Sequence, residues 1–303
     1  MPGSRPARCV LERSFMHVLD TALVRRVRQS PALRPPAIAV YRTVDRLRPA
    51  HPGPRVVANS MPKAGTHLLA SLLDQLDGMR FAGRLTAFDH RDRHRPQRGL
   101  EELDKELGRL RDSHYIGGHL IRDERVEERV ATSGVRFLTI LRDPRAVVVS
   151  AAHYVLNAKQ LRRRDEILEI FPDLAALLRA LVYGNGSPGD DLYFPEIGER
   201  YKSYVDWADA PVGLTVNFEN LIGGRGGGSD DEQFSQVAAI VDYLGYGSGG
   251  QTAMAVAERL FSEKAITFRA GTIDSWRQDL PKDLVQEIER RCANSMDRLG
   301  YTR

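Results

Sequence analysis

Cysteine is nearly absent: the 303 residues hold two, Cys9 and Cys292. Two thiols cannot supply a disulfide framework or a zinc cluster, and their scarcity fits a reducing cytoplasm, the expected location. No run of about 18 apolar residues occurs, so no membrane-spanning helix is expected. Arg5, Arg8, Glu12 and Arg13 interrupt the first residues, so no signal-peptide core is expected there. A Walker A loop, G-x-x-x-x-G-K-[ST], is missing. Nothing repeats internally.

What is present is ordinary for a globular chain: 42% hydrophobic and 28% charged residues. The length suits one large α/β domain or two small ones. The charge is uneven. Residues 1–55 hold eleven Arg against three acidic residues, a net of +8, so the other 248 residues carry −4 of the total +4. A basic arm can touch nucleic acid or an anionic membrane, but a solvated flank is the plainer reading. No nucleic-acid partner is expected, and peripheral membrane contact through residues 1–54 stays open. Residues 14–28 read as a short amphipathic helix with a basic end.

Pro35, Pro36, Pro49, Pro52 and Pro54 punctuate the approach to the core. Arg55–Ser60 is a short apolar strand. A loop follows at Met61-Pro62, and from Thr66 onward Leu68, Leu69, Leu72, Leu73 and Leu76 recur on one helical face. Strand, Gly-containing loop and helix make the first βα unit of a nucleotide-binding fold. Residues 80–112 read as charged surface loop plus a helix at Leu100–Leu110. Tyr115–Leu120 is a short strand ending at a histidine. Val135–Leu141 is a near-continuous apolar strand, as in a buried parallel sheet. Asp143 suits a helix N-cap and Pro144 the first helical position, with a helix through Ala146–Leu156. Residues 158–195 read as a long mixed insertion. A helix at 196–208, a strand at Gly213–Phe218, a flexible Gly-rich stretch at Gly223–Asp231, helices near 232–244 and 252–262, and a final helix at Pro281–Leu299 complete the reading. The expected fold is α/β: one domain, residues 55–303, with a central parallel sheet flanked by helices.

Three segments can carry chemistry. In Pro62-Lys63-Ala64-Gly65-Thr66-His67, consecutive N–H groups before a helix form an anion cradle, Lys63 adds a cation and Thr66 a hydroxyl donor. An ordinary βα turn is the plain alternative. Arg142 ends a core strand, at the edge where ligands bind in such sheets. Ser150 lies eight residues on, about 12 Å of helical rise away. In Phe268-Arg269-Ala270-Gly271-Thr272, a guanidinium and a backbone N–H can meet one phosphate. His90 and His94, with Asp89 and Asp92, could share a metal on a helix. The run reads instead as a solvated loop, and no metal is expected.

In this order and spacing the three segments resemble the cytosolic-type sulfotransferase family, which uses 3′-phosphoadenosine 5′-phosphosulfate (PAPS). Ser60–Thr66 resembles the family's 5′-phosphosulfate loop, Y-P-K-[SA]-G-[TN]. Leu141–Ser150 resembles its 3′-phosphate motif, R-[ND]-P-x-D-x-x-x-S. Arg269–Arg277 resembles R-K-G-x-x-G-D-W-K, and Val216–Leu221 resembles the Y-E-D-L strand end. The likeness spans about residues 55–300. It implies a P-loop-like sulfotransferase fold and PAPS as co-substrate without a metal. The cofactor-binding set it implies is Lys63, Ala64, Gly65, Thr66, His67, Leu68, Arg142, Ser150, Phe218, Arg269, Ala270 and Gly271. This chain has Leu68 where the family stacks an aromatic on adenine, Ala270 for the Lys of R-K-G, and Phe218 for the Tyr of Y-E-D-L.

The family carries a histidine after a short strand as K-T-H-L, and here stands Gly117-Gly118-His119-Leu120. His119 is the candidate general base, since imidazole titrates near neutrality, with Lys63 as its catalytic companion. Asp89, Asp92, Glu124 and His153 are alternative bases. The implied reaction moves a sulfuryl group to a hydroxyl or amine of a small-molecule, lipid or glycan acceptor oriented by residues 158–195. A P-loop-type kinase or NTPase, and a non-catalytic domain binding 3′-phosphoadenosine 5′-phosphate (PAP), are the competing readings.

Overall fold

The computed structural model describes residues 51–84, 88–89, 96–158, 161, 163–187, 190, 192–247, 250–260 and 272–302. The candidate residues His90, Asp92, His94, Arg269, Ala270 and Gly271, and the stretch 14–28, lie outside them.

Chain order explains the layout. β1 (Val56–Ser60) leads to α1 (Thr66–Leu73), β2 (Arg80–Arg84), α2 (Pro96–Arg109), β3 (His114–Gly118), α3 (Glu124–Ser133), β4 (Arg136–Leu141) and α4 (Pro144–Asn157). Then come α5 (Arg164–Ile170), α6 (Leu174–Tyr183), α7 (Ile197–Val205), β5 (Leu214–Asn217), α8 (Phe218–Leu221) and α9 (Asp230–Tyr243). α10 (Gly250–Leu260), α11 (Lys282–Arg291) and α12 (Ala293–Arg298) complete the described elements. The five strands form one parallel sheet in the order β2-β3-β1-β4-β5.

The apolar runs of β1 and β4 follow from burial on both faces. On one face Val57, Ile116, Phe137 and Leu141 pack with residues of α2, α3, α4, α6, α7 and α11. On the other, Val56, Ala58, Leu138 and Ile140 pack with α1, α9 and α10. Period-two alternation therefore assigns each strand residue to one of two cores.

Several sequence readings need correction. Residues 80–84 are not surface loop but the edge strand β2, paired to β3 with a register shift between Phe81 and Gly83. Its arginines hide the alternation that would mark it. Residues 124–133, unassigned from sequence, form α3, capped by the Asp123 side chain on the Arg125 N–H and closed by Gly134 at φ 70°. The insertion contains α5 and α6, and α6 buries Leu177, Leu178, Ala180 and Val182. Pro281–Leu299 is two helices, broken at Cys292. The Asp143 cap is found as expected, accepting from the Arg145 N–H at 2.8 Å with Pro144 next.

The sheet order creates a crevice. The connection after β1 leaves toward β2, and the one after β4 leaves toward β5, on opposite sides. Their C-terminal ends sit side by side, and ligands bind at such a reversal. Three predicted residues, Lys63, His119 and Arg142, follow the ends of β1, β3 and β4, the three central strands.

Candidate active site

The loop after β1 is tightly wound. The Ala64 N–H donates to the Met61 carbonyl at 3.0 Å, and the Leu69 N–H reaches back to the Gly65 carbonyl at 3.1 Å. The N–H groups of Gly65 and Thr66 lie ahead of that first helical bond, so they face outward at the helix start. Lys63 adopts φ 75°, a left-handed conformation uncommon for a side-chain-bearing residue. Gly65 is at φ 117°, and a Cβ there would meet Phe218 Cδ2 at 2.8 Å and Ile140 Cδ1 at 2.9 Å. Only glycine satisfies both the dihedral and the space.

Lys63 and Arg142 are near enough for their charges to interact. The Lys63 ammonium stands 4.3 Å over the Tyr154 ring of α4, and no carboxylate pairs with it among the described residues. Burial, and secondarily the charge of Arg142, hold its pKa below the ordinary lysine value. The Arg142 guanidinium stacks on the Phe218 ring at 4.1 Å. Phe218 is 6% exposed, so it forms the floor under both Gly65 and Arg142. Two cations that disfavour each other's charge, beside the N–H groups at the helix start, favour a bound anion.

His119 is held from β1. Its Nδ1 lies 2.8 Å from the Ser60 carbonyl oxygen, which can only accept, so Nδ1 carries the proton and Nε2 is the basic nitrogen. The Ser60 hydroxyl is 3.4 Å from the same Nδ1 and 2.6 Å from the Thr66 hydroxyl. A polar chain thus runs from the start of α1 to the histidine. The loop motif includes Ser60, and these contacts give it a role that the motif does not.

Asn59 is a second residue the sequence did not single out. Fully buried, it accepts from the Leu120 N–H at 2.7 Å and donates to the Leu120 carbonyl at 3.0 Å. Trp207 Nε1 donates to that carbonyl at 2.8 Å. The backbone beside His119 is therefore fixed. A buried amide inside an apolar strand was the available signal. Asn59→Ala should leave the Leu120 N–H without its partner and lower stability by about 1–3 kcal/mol, measurable by urea unfolding.

The remaining candidates sit as follows. Ser150 is half-buried on α4, His67 is exposed, and Leu68 packs at the margin of the core beneath α1. Glu124 is exposed in the first turn of α3. His153 Nε2 lies 3.0 Å from Asp279 Oδ2, tying α4 to the segment before α11. Asp89 follows Phe88, which bridges to Leu120. Lys63, Thr66, His119 and Arg142 are the ones gathered at the central strand ends.

No protein-family model matches the chain, and no curated protein sequence does. Solved structures do. Mouse sulfotransferase SULT7A1, complexed with PAP, is similar over 82% of this chain and 85% of its own, at 16% identity and a TM-score of 0.56. The chain has the sulfotransferase fold. Retinol dehydratase with retinol and PAP shares that fold over 80% of each chain, at 14% identity and a TM-score of 0.51. The same protein with androsterone and inactive cofactor PAP gives 13% and 0.50. In this chain's version of the sulfotransferase fold, helices cover both faces of the sheet, and none among the described residues is long and apolar enough to cross a membrane.

Proposed function

We propose that this chain is a PAPS-dependent sulfotransferase acting on a hydroxyl or amine of a small-molecule acceptor. The observation that carries the reading is the grouping of two cations and a histidine of defined tautomer at one sheet edge. That edge belongs to a fold whose solved relatives are described with PAP. Bound PAPS would supply the activated sulfuryl group and a stable bisphosphate leaving group.

The chain's own residues divide the work. The Gly65 and Thr66 N–H groups, the Thr66 hydroxyl and Lys63 hold the 5′-phosphate and stabilise charge developing there. Arg142, with Ser150 further along α4, holds the 3′-phosphate. Nε2 of His119 accepts the acceptor's proton, while Nδ1 stays bound to the Ser60 carbonyl. Leu68 gives the adenine an apolar surface, and Phe218 backs the phosphate loop and Arg142. Arg269, Ala270 and Gly271 are assigned to the phosphate side from sequence. Calorimetry with PAP followed by transfer from labelled PAPS to an acceptor panel tests the reading. Absence of PAP binding refutes it.

The depressed Lys63 gives a signed pH prediction. An anion on Lys63 restores its charge, so the complex binds more protons than the free protein above the lowered pKa. Affinity for PAP should therefore fall as pH rises from that point toward the ordinary lysine value, with proton uptake on binding. The check is calorimetry in buffers of different ionisation enthalpy, with Lys63→Met losing the uptake.

A further inference from the structure

Arg142 is aimed by more than its own side chain. The peptide group joining it to Asp143 is held at both polar ends. Its carbonyl accepts from the Tyr201 hydroxyl at 2.9 Å, and its N–H donates to Glu219 Oε1 at 3.0 Å. The other Glu219 oxygen accepts from the Tyr301 hydroxyl at 2.6 Å. Tyr201 lies on α7 and Tyr301 follows α12, so neither belongs to a phosphate motif. Both phenols stay protonated, because burial, and then the Glu219 charge, push them well above their ordinary value.

A peptide plane fixed at both ends cannot rotate, which sets ψ of Arg142 and the direction in which its side chain leaves the backbone. The guanidinium is then trapped against Phe218, the neighbour of Glu219 on α8. Downstream, Asp143 chelates Arg145 at 2.7 Å, and Arg145 continues to Glu289 at 2.7 Å and the Thr302 carbonyl at 3.0 Å. The junction is therefore rigid on its far side as well.

We infer that Tyr201, and Tyr301 acting through Glu219, are positioning residues that aim Arg142 and so set selectivity for a 3′-phosphorylated nucleotide. The inference rests on the reading of Arg142 as the 3′-phosphate residue. Glu219 is central: burial raises its pKa, and the Tyr301 hydroxyl and Asp143 N–H pull it back toward the carboxylate.

The experiment compares affinity for PAP with affinity for adenosine 5′-phosphate, which lacks the 3′-phosphate. In wild type PAP should bind more tightly. If it does not, the PAPS reading fails first and the clamp with it. Given that preference, each of Tyr201→Phe and Tyr301→Phe should weaken PAP about 3- to 10-fold while adenosine 5′-phosphate changes less than about twofold. Equal losses for both nucleotides, or none for either, overturn the clamp while leaving the PAPS reading intact. Should buried Tyr201→Phe fail to fold, Glu219 decides. Glu219→Leu removes the acceptor and should lose the PAP preference, whereas Glu219→Gln keeps an oxygen for the Asp143 N–H and should retain most of it. A folded Glu219→Leu with full PAP preference also overturns the proposal.

Discussion

His119→Ala is expected to lower turnover about 10²- to 10⁴-fold while PAP affinity stays within a few-fold of wild type. The split follows from where the ring is held. Its anchor is the Ser60 carbonyl, a backbone group that remains when the imidazole is removed. Asn59 and Trp207 fix the neighbouring Leu120 backbone independently, so the strand end should not collapse. The loop N–H groups and Lys63 lie across the Ser60–Thr66 hydrogen bond, which also survives. The variant should therefore bind nucleotide and fail in proton transfer. Whatever acid limb the imidazole gives the pH–rate profile should disappear with it. Near-normal turnover would remove His119 as the base. Among the other carboxylate and imidazole candidates, His153 already faces Asp279 and Glu124 is exposed on α3, so neither is a ready substitute.

The readable parts of this chain were those where one local constraint dominates. Val135–Leu141 could be placed as a strand because a strand covered on both faces must be apolar throughout. The loop at Lys63-Ala64-Gly65-Thr66 was legible because its backbone demands are chemical: a left-handed glycine, a cation and a hydroxyl before a helix. Asp143-Pro144 announced a helix start for the same reason. What escaped was set by long-range contact. β2 carries Arg80 and Arg84 at its ends and is a strand because β3 pairs with it. α6 is apolar along most of its length and packs on α4, but the charged residues before it and the Gly-containing loop after it give its segment a mixed overall composition. Ser60, Asn59, Tyr201 and Tyr301 act through partners 6 to 82 residues away. No spacing rule brings Tyr301 to Glu219; the fold does.

Arg142→Ala should separate two nucleotides that differ by one phosphate. Loss of a charge-assisted contact to the 3′-phosphate should weaken PAP about 10- to 100-fold. Adenosine 5′-phosphate makes no such contact, and for it the substitution has a second consequence. Arg142 is one of the two causes that lower the Lys63 pKa. Removing it relieves that effect on Lys63, so affinity for adenosine 5′-phosphate should fall far less than affinity for PAP. The Asp143 cap and the bonds from Tyr201 and Glu219 are made to backbone atoms, which alanine keeps, so the junction should remain folded. Uncovering the Phe218 ring, now stacked under the guanidinium, is the structural cost, and thermal unfolding of the variant would register it. Equal weakening of both nucleotides would show that Arg142 supports the site as a whole rather than reading the 3′-phosphate.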